Sequence, residues 1–157
     1  MGKLMVQEYI ATEVTKNEIM AYYITGYVEG EGCFSLGVHK NKRYTANYQF
    51  MPNFTLQVHI VDLPLIKKIK STFQCGRIYY NKRDNTVNYK VYKLNDLKTK
   101  IIPFFDKYRF QGNKKKSFEI FKEVVSLLSK NKIRTDEQIA YIFYLKEKMN
   151  QREIVDE

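Results

Sequence analysis

Apolar positions at helical spacing dominate residues 17–29, and apolar positions at strand spacing follow at once. Ile19, Tyr22, Tyr23, Gly26 and Tyr27 recur at i, i+3, i+4, i+7 and i+8. This spacing predicts a helix with Asn17 as N-cap and Glu18 in its positive first turn. Gly26 inside it costs about 1 kcal/mol relative to Ala, which implies close approach by another helix. Tyr22, Gly26 and Gly30 stack on one face, with Ala21 and Thr25 beside them. Gly30 and Gly32 are expected to stop the helix in left-handed conformations. Residues 1–16 read as a polar leader.

Phe34, Leu36 and Val38 alternate with Ser35, Gly37 and His39, the pattern of a half-buried strand. A basic turn, Asn41-Lys42-Arg43, leads to a second strand. There Tyr48, Phe50, Pro52, Phe54, Leu56 and Val58 face one way, and Asn47, Gln49, Met51, Asn53, Thr55 and Gln57 the other. Pro52 implies a bulge or an edge. Asp62 and Pro64 open a helix to Phe73 with Leu65, Ile66 and Ile69 inward, and Gly76 ends it. A hairpin follows, 77–82 and 86–92, turning at Arg83-Asp84-Asn85. Asn95 caps a short helix broken near Pro103. Helix 113–130 presents Phe118, Phe121, Val124, Val125 and Leu128. A last helix, 135–150, carries Ile139, Ile142, Phe143 and Leu145, which need a core. The order is α-β-β-α-β-β-α with extra C-terminal helices, an α+β fold in a single domain over 1–157. A four-stranded antiparallel sheet then carries helices on one face and leaves the other open.

The open face is amide- and hydroxyl-rich. Its members are Ser35, His39, Asn47, Gln49, Asn53, Thr55 and Gln57, with Arg77, Tyr79, Asn81, Asn88 and Lys90 from the hairpin. Asn and Gln pair with adenine in the major groove, and Ser and Thr with either partner. Alternation by itself describes an ordinary solvated sheet face equally well. The formal charge of +10, to which Lys42 and Arg43 contribute, implies a polyanionic partner. A membrane surface is the rival partner, but the chain shows no transmembrane run, signal peptide or Cys-anchored tail. Cys33 and Cys75 lack metal-ligand spacing and read as reduced, intracellular thiols. His39 and His59 are too few for a zinc cluster, and no Walker loop or nucleophile elbow occurs.

The predicted helix ends in Glu29-Gly30-Glu31-Gly32, where the dipole is negative and carboxylates are disfavoured. Two such ends packed together would repel more strongly. Hard divalent cations bind carboxylate and carbonyl oxygens and would relieve both problems. Taken alone, the same four residues are also a glycine-rich helix end with two solvated acids.

Ile24-Thr25-Gly26-Tyr27-Val28-Glu29-Gly30-Glu31-Gly32 resembles, position by position, the LAGLIDADG motif of homing endonucleases. Glu at the second acid is a variant within that family. Residues 54–66 are similar to the family's strand-to-helix segment, and 102–108 and Gln111-Gly112-Asn113-Lys114 to its later signatures. Lys146-Glu147-Lys148-Met149-Asn150 also resembles single-chain members. The resemblance implies a saddle-shaped sheet over double-stranded DNA. It implies Mg²⁺-assisted phosphodiester hydrolysis, with Glu31 and the Gly30 carbonyl as metal ligands and Lys114 near the scissile phosphate. Cuts across the minor groove would leave short 3′ overhangs. Val58 stands where some members carry Gln, so that role is absent or passes to Gln57. Arg109 stands where the family often has Pro. The chain carries one motif and no internal repeat, and the family cuts both strands with two motif helices packed together. A homodimer follows, with Tyr22, Thr25, Gly26 and Glu29 at its interface, and a near-palindromic target. A ten-residue strand spans about 33 Å, roughly one duplex turn. As a metal-site residue the resemblance makes Glu29 a weaker candidate than Glu31, and helix capping and packing is an equal alternative for it.

Two rival functions share the fold: an intron RNA maturase and a non-catalytic DNA-binding regulator. A basic domain binding RNA nonspecifically is the third. The Lys/Asn/Tyr/Ile-rich composition suits an AT-rich genome, organellar ones included.

Overall fold

The computed structural model describes residues 2–44, 47–130 and 134–151, with side chains from residue 16 onward. Helix α1 runs Gly2–Glu31, so Asn17 lies inside it and is not its N-cap. Residues 3–16 hold no Pro or Gly and several strong helix formers, so nothing there breaks the helix. Residue 1 and the side chains of 2–15, on which the polar-leader expectation falls, lie outside the described residues. From Ala21 on, α1 buries Ala21, Ile24, Thr25 and Val28 against the chain's own core.

Strand β1, Gly32–Lys40, starts with no intervening turn. Gly32 does not adopt the expected left-handed conformation; Gly76 is the glycine with positive φ among the described residues. Close packing is what requires glycine at 32. A Cβ there would come within 2.6 Å of Val28 Cγ1 and 2.7 Å of its carbonyl oxygen.

Strands β2 (Tyr48–His59), β3 (Arg77–Asn81) and β4 (Thr86–Val91) complete a fully antiparallel sheet in the order β1-β2-β4-β3. The register pairs Phe34 with Phe54 and Leu56 with Tyr89 on the covered face. Pro52 pairs with Leu36 of β1 beyond the last β4 pair, Phe54 with Val91, which is the edge position its missing donor requires.

One face of this sheet is covered by helices. Helix α2, Leu63–Phe73, buries Ile66, Ile69 and Phe73 and ends at left-handed Gln74, two residues before Gly76. Residues 94–107 form a helix in three parts: α3 (Leu94–Asp96), a π-turn (Leu97–Ile101) and α4 (Ile102–Lys107). Asn95 sits inside this helix, which is capped at Lys93, and Pro103 does not break it. Proline in a helix interior removes a donor and crowds the preceding turn, and the wider π-turn directly before it gives that room.

Helices α5 (Lys114–Lys130) and α6 (Asp136–Met149) pack on each other and on β1. A capping box of Thr135 and Gln138 starts α6. Ile142, Leu145 and Met149 are its buried residues. Phe143 is exposed instead, set edge-on to Tyr48 and Phe50 at the rim.

The core centres on Phe34, whose ring lies 5.0–5.9 Å from those of Phe54, Phe105, Phe110, Phe118 and Phe121. Each buried Phe contributes about 1.5–3 kcal/mol of transfer free energy. This cluster lies directly beneath the junction of α1 and β1, which makes that junction one of the best-supported points in the molecule.

Candidate functional site

Helix α1 carries its last acid, Glu31, to the edge of the sheet, where Glu31 is exposed. The last carbonyls of a helix lack intrahelical donors, so an oxygen-rich, negative corner forms there. Its charge is felt by Tyr27, whose phenol is pushed up to about 12 by burial first, then by Asp62 and Glu31.

The segment 108–114 is tied to this corner. Thr25 Oγ1 donates to the Tyr108 carbonyl at 2.9 Å. The Gln111 amide donates to Glu29 Oε2 at 3.1 Å, and the Gly112 amide to Glu29 Oε1. Lys114 Nζ donates to the Gly32 carbonyl at 2.5 Å, one residue past Glu31. A cleft of about 910 Å³ opens here, lined by Glu29, Gly30, Cys33, Lys114, Lys115 and Asn150 among others. Gly30 and Lys114 thus line one cleft, and Glu31 follows Gly30 as the last residue of α1.

The open face of the sheet carries the expected side chains in cross-strand rows. Ser35 pairs with Asn53 and His39 with Gln49; Thr55 with Lys90, and Lys90 with Arg77; Gln57 with Asn88, and Asn88 with Tyr79. Gln57 lies one residue beyond the Gly32–Leu56 pair, at the end of the sheet where α1 delivers Glu31. Val58 is buried in the core, and Gln57 beside it is exposed on the open face. Ser35 Oγ donates to Asn53 Oδ1 at 2.7 Å, and Asn53 Nδ2 to the Met51 carbonyl at 3.3 Å. Lys90 Nζ sits 5.7 Å from the Tyr79 ring centre.

Two expected members of this face differ. Asn47 stands in the turn before β2 with φ 60°, outside the strand's alternation. Asn81 spends its amide on the β3–β4 turn, donating to Asp84 Oδ2 at 2.9 Å and accepting from the Arg83 amide at 3.1 Å. Lys42 and Arg43 are exposed in the β1–β2 turn, as read.

The interface expectation also divides. Thr25 is buried and bonded within its own chain, and Glu29 is committed to 111–112. Tyr22 and Gly26 do lie on an exposed stripe of α1, together with Ile19, Tyr23 and Gly30. Ile19, Tyr22 and Tyr23 are 53–64% exposed, too apolar a set for a solvated helix face. A Cβ at Gly26 or Gly30 would meet nothing within 4 Å. The fold of one chain therefore gives no packing reason for either glycine.

Sequence reasoning missed the two hydrogen bonds that the Gln111 and Gly112 amides donate to Glu29. The glycine at 112 was the available signal, since a Cβ there would overlap the Glu29 carboxylate. Among the described residues no group of three or more His, Cys, Asp or Glu could hold a metal by itself.

The chain belongs to the LAGLIDADG endonuclease family, whose profile matches residues 24–125. It is similar to probable intron-encoded endonuclease 2 of Neurospora crassa, 32% identical over 129 residues, 82% of this chain and 28% of that protein. It spans between 24% and 41% of the length of the curated relatives it matches. The fold superposes on the meganuclease I-SmaMI bound to uncleavable DNA with a TM-score of 0.80 and 27% identity, over 83% of this chain and 45% of that one. Other structures of I-SmaMI include one bound to uncleaved target in the presence of calcium ions and others with lysines replaced by alanine. The homing endonuclease I-TnaI superposes with a TM-score of 0.78 and 27% identity, over 83% of this chain and 88% of that one.

Proposed function

We propose that this chain is a site-specific DNA endonuclease that works as a homodimer on a long, near-palindromic duplex. The observation that carries the reading is Lys114, held on the Gly32 carbonyl beside exposed Glu31 at the end of the amide-rich face. That face suits the B-DNA major groove, which admits a two-stranded ribbon, while the major groove of A-form RNA is too narrow for side chains.

A divalent cation fits the corner, because carboxylate and carbonyl oxygens are the donors Mg²⁺ and Ca²⁺ prefer. Glu31 and the Gly30 carbonyl would hold it, with remaining ligands from DNA phosphates and the second copy. When bound, it supplies Lewis-acid activation of water and stabilisation of the departing oxygen. Glu31 brings the negative charge that recruits it. Lys114 offsets charge developing on the phosphate, and Gln57 orients water at the same corner.

One copy supplies one such corner, so cutting both strands takes two. The exposed stripe of Ile19, Tyr22, Tyr23, Gly26 and Gly30 is where the second copy would dock, with glycines admitting a close crossing. Two corners across the minor groove would give staggered cuts with short 3′ overhangs. An intron-encoded origin and an organellar compartment agree with the intron-encoded relative and the AT-biased composition.

The test is cleavage of a randomised palindromic DNA library with Mg²⁺, against EDTA and Glu31→Gln controls. The reading expects metal-dependent cutting at one symmetric site, abolished in Glu31→Gln with binding retained. Sequence-selective retention without cutting indicates a regulator, and no enrichment at all indicates an RNA partner.

A further inference from the structure

Glu29 is half-buried, and both of its oxygens are occupied by backbone amides, Oε2 by Gln111 and Oε1 by Gly112. A carboxylate so used is held in place by two backbone amides, with fewer lone pairs and less freedom to turn towards an external cation. The same two amides stand just before α5. The Lys115 amide bonds the Gly112 carbonyl at 3.0 Å and the Lys116 amide bonds the Asn113 carbonyl at 3.2 Å, so the turn that starts α5 is built on Gly112. Lys114 is the first residue of that helix, and its Nζ reaches back to the Gly32 carbonyl. The chain therefore makes a closed loop: α1 to Glu29, Glu29 to 111–112, Lys114 back to the residue after Glu31. Gly112 belongs to this loop, since any side chain there would occupy the space of Glu29 Oε1.

We infer that Glu29 is a positioning residue, whose carboxylate clasps the Gln111 and Gly112 amides and thereby sets Lys114 against the Glu31 corner. The two acids of the motif then have separate tasks, one facing the nucleic acid and one holding the lysine. This inference rests on the nuclease reading for its catalytic consequence, but the clasp is measurable without DNA.

The first arm uses the protein alone, acylated briefly with acetic anhydride and mapped by mass spectrometry. Lys114, bonded to Gly32, should react several-fold more slowly than its exposed neighbour Lys115. Glu29→Gln and Gly112→Ala should each raise Lys114 towards the rate of Lys115, with the remaining lysines unchanged. If Lys114 keeps its wild-type rate in both folded variants, the clasp is wrong. A rise at every lysine would mean general unfolding and would equally overturn a local positioning role.

The second arm is single-turnover cleavage of the selected DNA target with Mg²⁺. Misplacing a catalytic group by about 1 Å costs about 10²-fold in rate, so Glu29→Gln should lose about that much while target binding stays close to wild type. The double variant Glu29→Gln/Lys114→Ala should be no slower than Lys114→Ala alone, because Glu29 acts through the lysine. Additive losses overturn the inference. Wild-type protein that cuts nothing, combined with the Lys114 reactivity change, discards the nuclease reading and keeps the clasp.

Discussion

Glu29 and Glu31 have the same chemistry and stand two residues apart, yet one is bonded to backbone amides and the other is exposed. Position on the helix decides this, since two residues on an α-helix point about 200° apart. Asn53 presents a similar case on the sheet. Its Oδ1 accepts from Ser35 and its Nδ2 donates to the Met51 carbonyl, which leaves one acceptor lone pair and one N–H for a base edge. An amide fixed in this way reads a donor and an acceptor in a set order. Asn53→Ala is expected to reduce discrimination at a single base pair by about 1–3 kcal/mol. Ser35→Ala should reduce it less at the same base pair and add little to Asn53→Ala, because it acts by orienting the amide. Competition binding with singly substituted duplexes reads both effects. An equal loss across all sequences would assign Asn53 to general affinity instead. The alternation of polar and apolar residues made this face legible, but it gave no sign that Asn81 is bound into a turn or that Asn47 has left the strand. Those outcomes depend on local hydrogen bonds that Asn makes readily in turns.

At the scale of elements, α1 is the instructive one. Its apolar residues form two stripes, one against the core and one exposed, and a single periodic pattern could not tell them apart. The chain order of the elements, the hairpin and α5 with its inward residues followed from periodicity alone, because each element has one buried face. The start of α1 and the passage through Pro103 did not. Long helices can continue past a capping residue, and a π-turn can accommodate a proline. The glycines sort by environment as well. Gly32→Ala would overlap the Val28 backbone and Cγ1, at the one place where α1 hands over to β1. Overpacking of this kind costs about 1–3 kcal/mol. The thermal midpoint should fall by roughly 2–12 °C at about 2–4 °C per kcal/mol for a chain of this size. Gly112→Ala should fall less, since the Glu29 side chain can move where the Val28 backbone cannot. Differential scanning fluorimetry on the two variants tests the ranking, and equal midpoints would count against the packing reason at Gly32.

At the scale of the molecule, a net charge of +10 and an exposed apolar stripe pull in different directions. Like charges oppose self-association, and Debye screening at physiological salt, with a length of about 8 Å, weakens that opposition. DNA would neutralise it more fully, because each half-site of the proposed target would present phosphates to one copy. Dimer formation should therefore strengthen with both salt and DNA, whereas DNA affinity should fall steeply with salt through counterion release. Gly26→Leu separates the two effects. Its side chain would project from the stripe into space that is open in one chain and would be filled in the proposed dimer. Sedimentation equilibrium should find wild-type mass rising with concentration and the variant remaining monomeric. The variant would then hold one half-site, and its slope of log affinity against log salt should be about half that of wild type, because the slope is proportional to the number of phosphates neutralised. A variant that keeps the wild-type mass and the wild-type slope would mean that the stripe is not where two copies meet. The second active corner would then have to come from another surface.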